Sequence, residues 1–318
     1  MRISSHTSRF RATRRFGLGL LVACLSIATA VSASATTGRG VDPATAPDSG
    51  HSVAGAVYGD AAARRADTAA DHFRTSHQRM VDSITDAQPQ LARQIHNWWG
   101  TFPNGDRVST GLMATQSVDP SLRLTSRNDF LYTPTMKPAN GSCIEVVTVH
   151  TSGTPQVWAW DWCRTVGPAV ELDVTSSFLS KYTTTVHGLP AYTVRNVKTG
   201  ASNNTWTASL FNVTTNSWDT LFTSSGTDQS KLAYGWSMFE FYSDVTSSGQ
   251  VALCRDIARL SFESSSIQVQ LNGTWTAATG GNSKWMPSAA PDPRSYGCTP
   301  LAFHIVNNNA DWVVNQTP

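Results

Sequence analysis

Hydrophobic and polar positions follow two periods along this chain, and the changeover falls once. From Phe130 onward the pattern is that of short strands, rich in β-branched and aromatic residues, at 144–150, 156–162, 182–186, 191–196, 205–212, 218–223, 236–242, 260–262, 267–271 and 303–306. Turn dipeptides such as His187-Gly188, Asn272-Gly273 and Gly280-Gly281 punctuate them. Roughly ten short strands in about 190 residues predict an all-β fold, a β-sandwich or jelly roll with enough chain for a real core. Before it, residues 60–99 are Ala-rich and charged, with Phe73, Met80, Val81, Ile84, Leu91, Ile95 and Trp98 near helical spacing. That predicts one helix broken near Pro89, or two in succession, followed by a connector over 101–127.

The most informative stretch runs from Cys143 to Cys163, two strand-like runs around Thr151-Ser-Gly-Thr-Pro155. If the two cysteines close a hairpin, Cys143 faces Cys163, Glu145 faces Asp161, and Ser152 to Thr154 form the loop. Alternation then puts Cys143, Glu145 and Val147 on one face with Cys163, Asp161 and Ala159. Ile144, Val146, Trp158, Trp160 and Trp162 take the other face. Two adjacent carboxylates repel unless one holds a proton, so the register implies either acid–base chemistry or an exposed, hydrated face.

A second stretch, Tyr234 to Asp244, reads as a strand with Trp236, Met238, Glu240 and Tyr242 on one face and Ser237, Phe239 and Phe241 on the other. Glu240 among Trp, Met and Tyr is desolvated and its acidity weakened, the setting of a site residue. The competing reading is an edge strand with a gatekeeper charge. Glu171, Glu263 and the scattered histidines 150, 187 and 304 read as ordinary surface or hydrogen-bonded groups.

Composition narrows the setting. Residues 1–35 carry five Arg, an apolar run and Ala33-Ser-Ala35, the pattern of a signal peptide, so the protein is expected to be secreted and extracellular. Without that segment 19 basic residues stand against 22 acidic ones, a net charge of −3, and no basic patch points to nucleic acid. Four cysteines then remain, at 143, 163, 254 and 298. They predict two disulfides; three pairings are open, and the hairpin favours Cys143 with Cys163 and Cys254 with Cys298. The sequence holds no GxSxG, HExxH or phosphate-loop motif, and no CxxC or HxxxH spacing for zinc. Residues 36–125 read as a disordered lead-in, helical segment and connector forming a propeptide, the competing reading of the helix being an arm packed on the mature domain, and 126–318 read as the β-sandwich catalytic domain.

The Cys-Ile-Glu145 strand, followed by Val157-Trp-Ala-Trp-Asp-Trp-Cys163, resembles the first catalytic region of the neprosin-type glutamic peptidases. Trp236-Ser-Met-Phe-Glu240 is similar to that family's second region, with Ser-Met-Phe where the family has glycines. More distantly the body resembles the eqolisin-type glutamic peptidases, whose first catalytic position is a Gln. The resemblance spans residues 130–271 and implies a concanavalin-like β-sandwich, an N-terminal prodomain and an acid-active endopeptidase needing no cofactor or metal. Under it Glu240 is the ionised base that activates water, and Glu145 is the protonated partner that stabilises the oxyanion. Asp161 helps keep Glu145 protonated, and Trp158, Trp160, Trp236 and Tyr242 support a cleft for a polypeptide substrate. The expected protein is a monomer that leaves the membrane once its signal is cut. A different class stays open, a carbohydrate-binding or glycoside-hydrolysing jelly roll, which predicts a planar row of solvent-facing indoles. A non-catalytic adhesion or inhibitor domain predicts that Glu145 and Glu240 lie on different faces.

Overall fold

A computed structural model describes residues 41–85, 94–104, 109–164, 167–200, 202–226 and 234–316. The signal-like segment and the expected helix break near Pro89 lie outside the described residues. In chain order the strands are β1 (Asp48–Ser52), β2 (Val57–Tyr58), β3 (Gln94–Pro103), β4 (Ser109–Ser117), β5 (Phe130–Lys137), β6 (Ile144–His150), β7 (Gln156–Asp161), β8 (Pro168–Asp173) and β9 (Thr183–Val186). They continue as β10 (Leu189–Lys198), β11 (Trp206–Asn212), β12 (Ser217–Thr223), β13 (Trp236–Asp244), β14 (Ser261–Leu271), β15 (Thr274–Ala277), β16 (Ser283–Met286), β17 (Leu301–Asn307) and β18 (Asp311–Gln316). Helix α1 (Asp60–Thr85) precedes β3; α2 (Ser176–Tyr182) and α3 (Leu253–Asp256) are short.

Two sheets form the sandwich. One runs β1-β12-β11-β10-β4-β14-β18-β17, with β9 on β10 and β15 on β14; the other runs β16-β3-β13-β5-β6-β7-β8-β2. Between them lies the main core, where Leu131, Ile144, Val146, Val157, Phe239 and Phe241 meet Leu112, Tyr192, Val194, Leu210, Phe262 and Trp312. This is the inner-face alternation expected of stacked sheets. Both disulfides, Cys143–Cys163 and Cys254–Cys298, are formed.

The helical pattern overreached at its end. Residues 94–99 belong to β3, which pairs with β13 and β16 inside the second sheet, and β4 lies between β10 and β14 in the first. The Trp98-Trp99 pair explains the misreading: both residues are large and apolar, yet they point to opposite faces. Trp99 packs in the inter-sheet core, and Trp98 lies with Phe102, Trp236 and Met238 on the outer face. Gly100 is required where β3 crosses β13, because a Cβ there would run into the Ser237 carbonyl.

Helix α1 forms where local preference and packing agree. Its first turn holds Ala61 to Ala63 behind Asp60, strong helix formers with an acid at the dipole's positive end. Ala66, Ala70 and Phe73 recur at one-turn spacing and are buried on the outer face of the second sheet.

Candidate active site

The outer face of the second sheet carries the candidate site. On it the hairpin register differs by one residue from the expected one: Ile144 faces Asp161, Glu145 faces Trp160, and Val147 faces Trp158. The loop is longer than three residues, since the strands end at His150 and resume at Gln156. Cys163 therefore bonds Cys143 from one step beyond the ladder, where Trp162 N–H donates to the Cys143 carbonyl at 2.8 Å. A one-residue slip exchanges the faces of the partner strand. Trp158, Trp160 and Trp162 thus accompany Glu145, whereas Asp161 lies on the opposite face and accepts from the Cys163 and Ser225 backbone N–H groups at 3.0 and 2.9 Å. Asp161 is not the carboxylate partner of Glu145, and its expected role in keeping Glu145 protonated falls.

Glu145 is fully buried. Its Oε2 accepts from Trp162 Nε1 at 2.8 Å; its Oε1 accepts from Trp236 Nε1 at 2.8 Å and from the Thr135 hydroxyl in a short bond. Indole N–H groups can only donate, so two of these three bonds have a fixed direction. Glu240 is buried as well. Its Oε1 accepts from Tyr242 Oη at 2.5 Å and lies 2.8 Å from His96 Nε2. His96 comes from β3, opposite Tyr242 in the ladder, and stacks on that ring with centroids 4.1 Å apart.

Both glutamates lie on the same face of one sheet. Trp236 and Glu240 are four residues apart on β13, and that indole reaches across β5 to Glu145. A bulge in β5 around the Thr133–Pro134 bond shifts its register against both neighbours, so that Tyr132 and Thr135 face outward together. Tyr242 is buried, and burial together with the charges of Glu240 and Glu145 holds its phenol well above the usual value. Tyr132 is raised likewise, by burial and by Glu240.

Helix α1 covers this face. Phe73 fits between Tyr132, Trp160 and Trp162, with ring centroids at 4.6, 5.0 and 5.6 Å. His72 stacks on Phe130 at 4.4 Å, and Tyr132 Oη donates to the Ala69 carbonyl at 2.8 Å. At the rim, Arg65 donates to both oxygens of Asp173 at 2.8 Å and lies 3.4 Å from Glu171. Glu171, read from sequence as a surface acid, is buried on β8 opposite Trp158, and burial raises its carboxyl to about 7 against the pull of Arg65. The indoles do not form a planar, solvent-facing row: successive planes are tilted by 33° and 31°, and Trp158 and Trp160 lie beneath α1.

Several residues of this constellation escaped the sequence reading. His96 and Thr135 sit on strands whose pairing with β13 and β6 no local pattern reveals. Trp162 had been assigned to the other face, and Phe73 had been read only as part of a helical stripe. Among the described residues the one grouping with metal-ligand spacing is Cys143, Asp161 and Cys163, whose thiols are joined in the disulfide.

Fold and site together define a β-sandwich with two buried, donor-wrapped glutamates on one sheet face beneath a helix. No family model and no curated protein sequence matches the chain. Among solved structures it is similar to a scytalido-glutamic peptidase with a peptide-based transition-state analogue, at 13% identity and TM-score 0.40, and to one with a transition-state analogue inhibitor, at 12% and 0.43. It is also similar to SCP-B, an eqolisin-family peptidase in complex with the tripeptide Ala-Ile-His, at 13% and 0.40; each match covers 70% of this chain and 100% of the other.

Proposed function

We propose that this protein is a secreted, acid-active glutamic endopeptidase, made as a zymogen in which α1 blocks the site. The observation that carries the reading is the pair of fully buried glutamates on one face, held by different kinds of donor. Glu240 lies 2.8 Å from a ring nitrogen of His96 and accepts from the Tyr242 hydroxyl. Glu145 accepts from two indole N–H groups and from the Thr135 hydroxyl. The roles follow the family resemblance, with Glu240 as the ionised base and Glu145 as the protonated acid. Ionised Glu240 takes a proton from water, the resulting hydroxide adds to the scissile carbonyl, and Glu145 donates its proton to the developing oxyanion. Glu240 then returns its proton to the leaving amine as the C–N bond breaks, and one hydroxyl of the collapsing diol gives its proton back to Glu145, releasing acid and amine and restoring both carboxyls.

The blocking role rests on the contacts of Phe73, His72 and Arg65, which fill the face a peptide would need. The test is digestion of a denatured protein from about pH 3 to 7 by the full chain, by Glu240→Gln and by Glu145→Gln. Each substitution should lower proteolysis by about 10²–10⁴-fold while circular dichroism stays unchanged. Equal activity in all three, or none in any after prolonged acid incubation, rejects the assignment.

A further inference from the structure

We infer that the pocket formed by Tyr132, Trp160 and Trp162 is a recognition subsite for an aromatic side chain of a peptide, and that Phe73 occupies it in the covered state. The inference rests on the peptidase reading and adds the substrate class. Three observations define the pocket. Phe73 is fully buried there, with Trp160 edge-on and Tyr132 and Trp162 tilted around it, the arrangements that favour aromatic pairs. The pocket adjoins the chemistry, because Trp162 also donates to Glu145 at 2.8 Å. A main-chain acceptor is anchored beside the ring as well, where Tyr132 Oη donates to the Ala69 carbonyl at 2.8 Å. A peptide that replaced α1 could offer the same pair of groups, one aromatic ring and one carbonyl, within reach of the carboxylate. Val147 and Val149 belong to the same buried cluster and continue its apolar floor.

Two readouts test this and separate its failure from that of the peptidase reading. In the full chain carrying Phe73→Ala, the vacated pocket should bind N-acetyl-phenylalaninamide saturably, seen as a change in indole fluorescence, while N-acetyl-alaninamide gives none. Cleavage sites in a denatured proteome digested by the native chain in acid, mapped by mass spectrometry, should show one fixed position enriched in Phe, Tyr or Trp by about tenfold over Ala. Trp160→Ala should reduce that enrichment while leaving in place the Trp162, Trp236 and Thr135 bonds to Glu145. Absence of phenylalaninamide binding in a folded Phe73→Ala chain overturns the subsite. Should that variant fail to fold, the native chain's cleavage map decides: proteolysis without aromatic enrichment overturns the subsite and leaves the peptidase standing. Selective binding without any proteolysis supports the subsite and overturns the peptidase.

Discussion

His150 offers the sharpest test of the fold's electrostatics. It sits at the end of β6, opposite Leu131 and fully buried, and its ring approaches Phe262 at 6.4 Å. Neither ring nitrogen has a hydrogen-bond partner among the described residues. Burial lowers its pKa to about 4, with Asp119 pulling upward and Arg123 downward. The unfolded chain binds a proton near the ordinary value of about 6.5, so between the two values it holds more protons than the folded chain. Stability from this site is complete above about 6.5 and is lost as pH falls toward 4, where the loss reaches about 3 kcal/mol. His150→Leu removes the titration and the two unsatisfied nitrogens at similar volume, so it should stabilise at pH 7 by about 1–3 kcal/mol. The gain should grow by about 3 kcal/mol more at pH 4. Urea unfolding of both chains with disulfides intact, at intervals from pH 7 to 4, measures the difference. Parallel stability curves across that range would refute the reasoning, since they would mean that the histidine is charged, or partnered, in the folded state.

Glu171 has the opposite sign: its folded value of about 7 lies above the ordinary 4.5, so its contribution is complete below about 4.5 and is lost as pH rises through 7. Glu171→Gln should therefore stabilise the protein at pH 8 by about 3 kcal/mol and leave pH 4 unchanged, read by the same urea curves. Under the proposed peptidase reading, Trp236→Phe, which removes a hydrogen bond to Glu145, should lower proteolysis by about tenfold; unchanged proteolysis counts against a role for Glu145. Asp173 is desolvated, but its bonds from Gln156 and Arg65 outweigh this and hold its carboxyl below the ordinary value. The Arg65 link should thus persist at pH 5 and be lost in stronger acid. Arg65→Ala should raise hydrogen exchange in α1 by about fivefold or less at pH 5, since the pair is partly exposed, with no effect at pH 2.

Much of this architecture is legible in residue pattern because the inner faces obey it. Phe239 and Phe241 alternate with Met238, Glu240 and Tyr242, and the structure has them on opposite faces of β13. The faces of Ile144 and Val146 follow for the same reason. The hairpin register was not legible, because assuming that a disulfide joins directly opposed residues fixed the parity wrongly. The longer loop from 151 to 155 allows the one-step offset, and with it all three tryptophans change sides. His96 was hidden by a second effect: Ile95, Trp98 and Trp99 imitate helical spacing, and only pairing with β13 makes the segment a strand. Glu171 misled through its neighbourhood in sequence, whereas its burial comes from Trp158 across the ladder and from α1 above.

The register shift also bears on why the site needs a cover. With the indoles inside, the outer face of the second sheet would have been a polar, hydrated surface around two carboxylates. With the indoles outside, Phe130, Tyr132, Val147, Val149, Trp158, Trp160 and Tyr242 form one contiguous apolar field around Glu145 and Glu240. A field of that kind left open to water invites association, and a carboxylate within it is costly to ionise. Helix α1 meets both demands with the same residues, its alanines and Phe73 on the apolar field and Arg65 at the acidic rim. Anything that displaces it must offer a comparable set of groups, apolar side chains to refill the field and a carbonyl for Tyr132. An extended peptide with an aromatic residue satisfies that list. A sugar, presenting hydroxyls to tilted indoles, leaves the Phe73 recess and the tyrosine hydroxyl poorly matched.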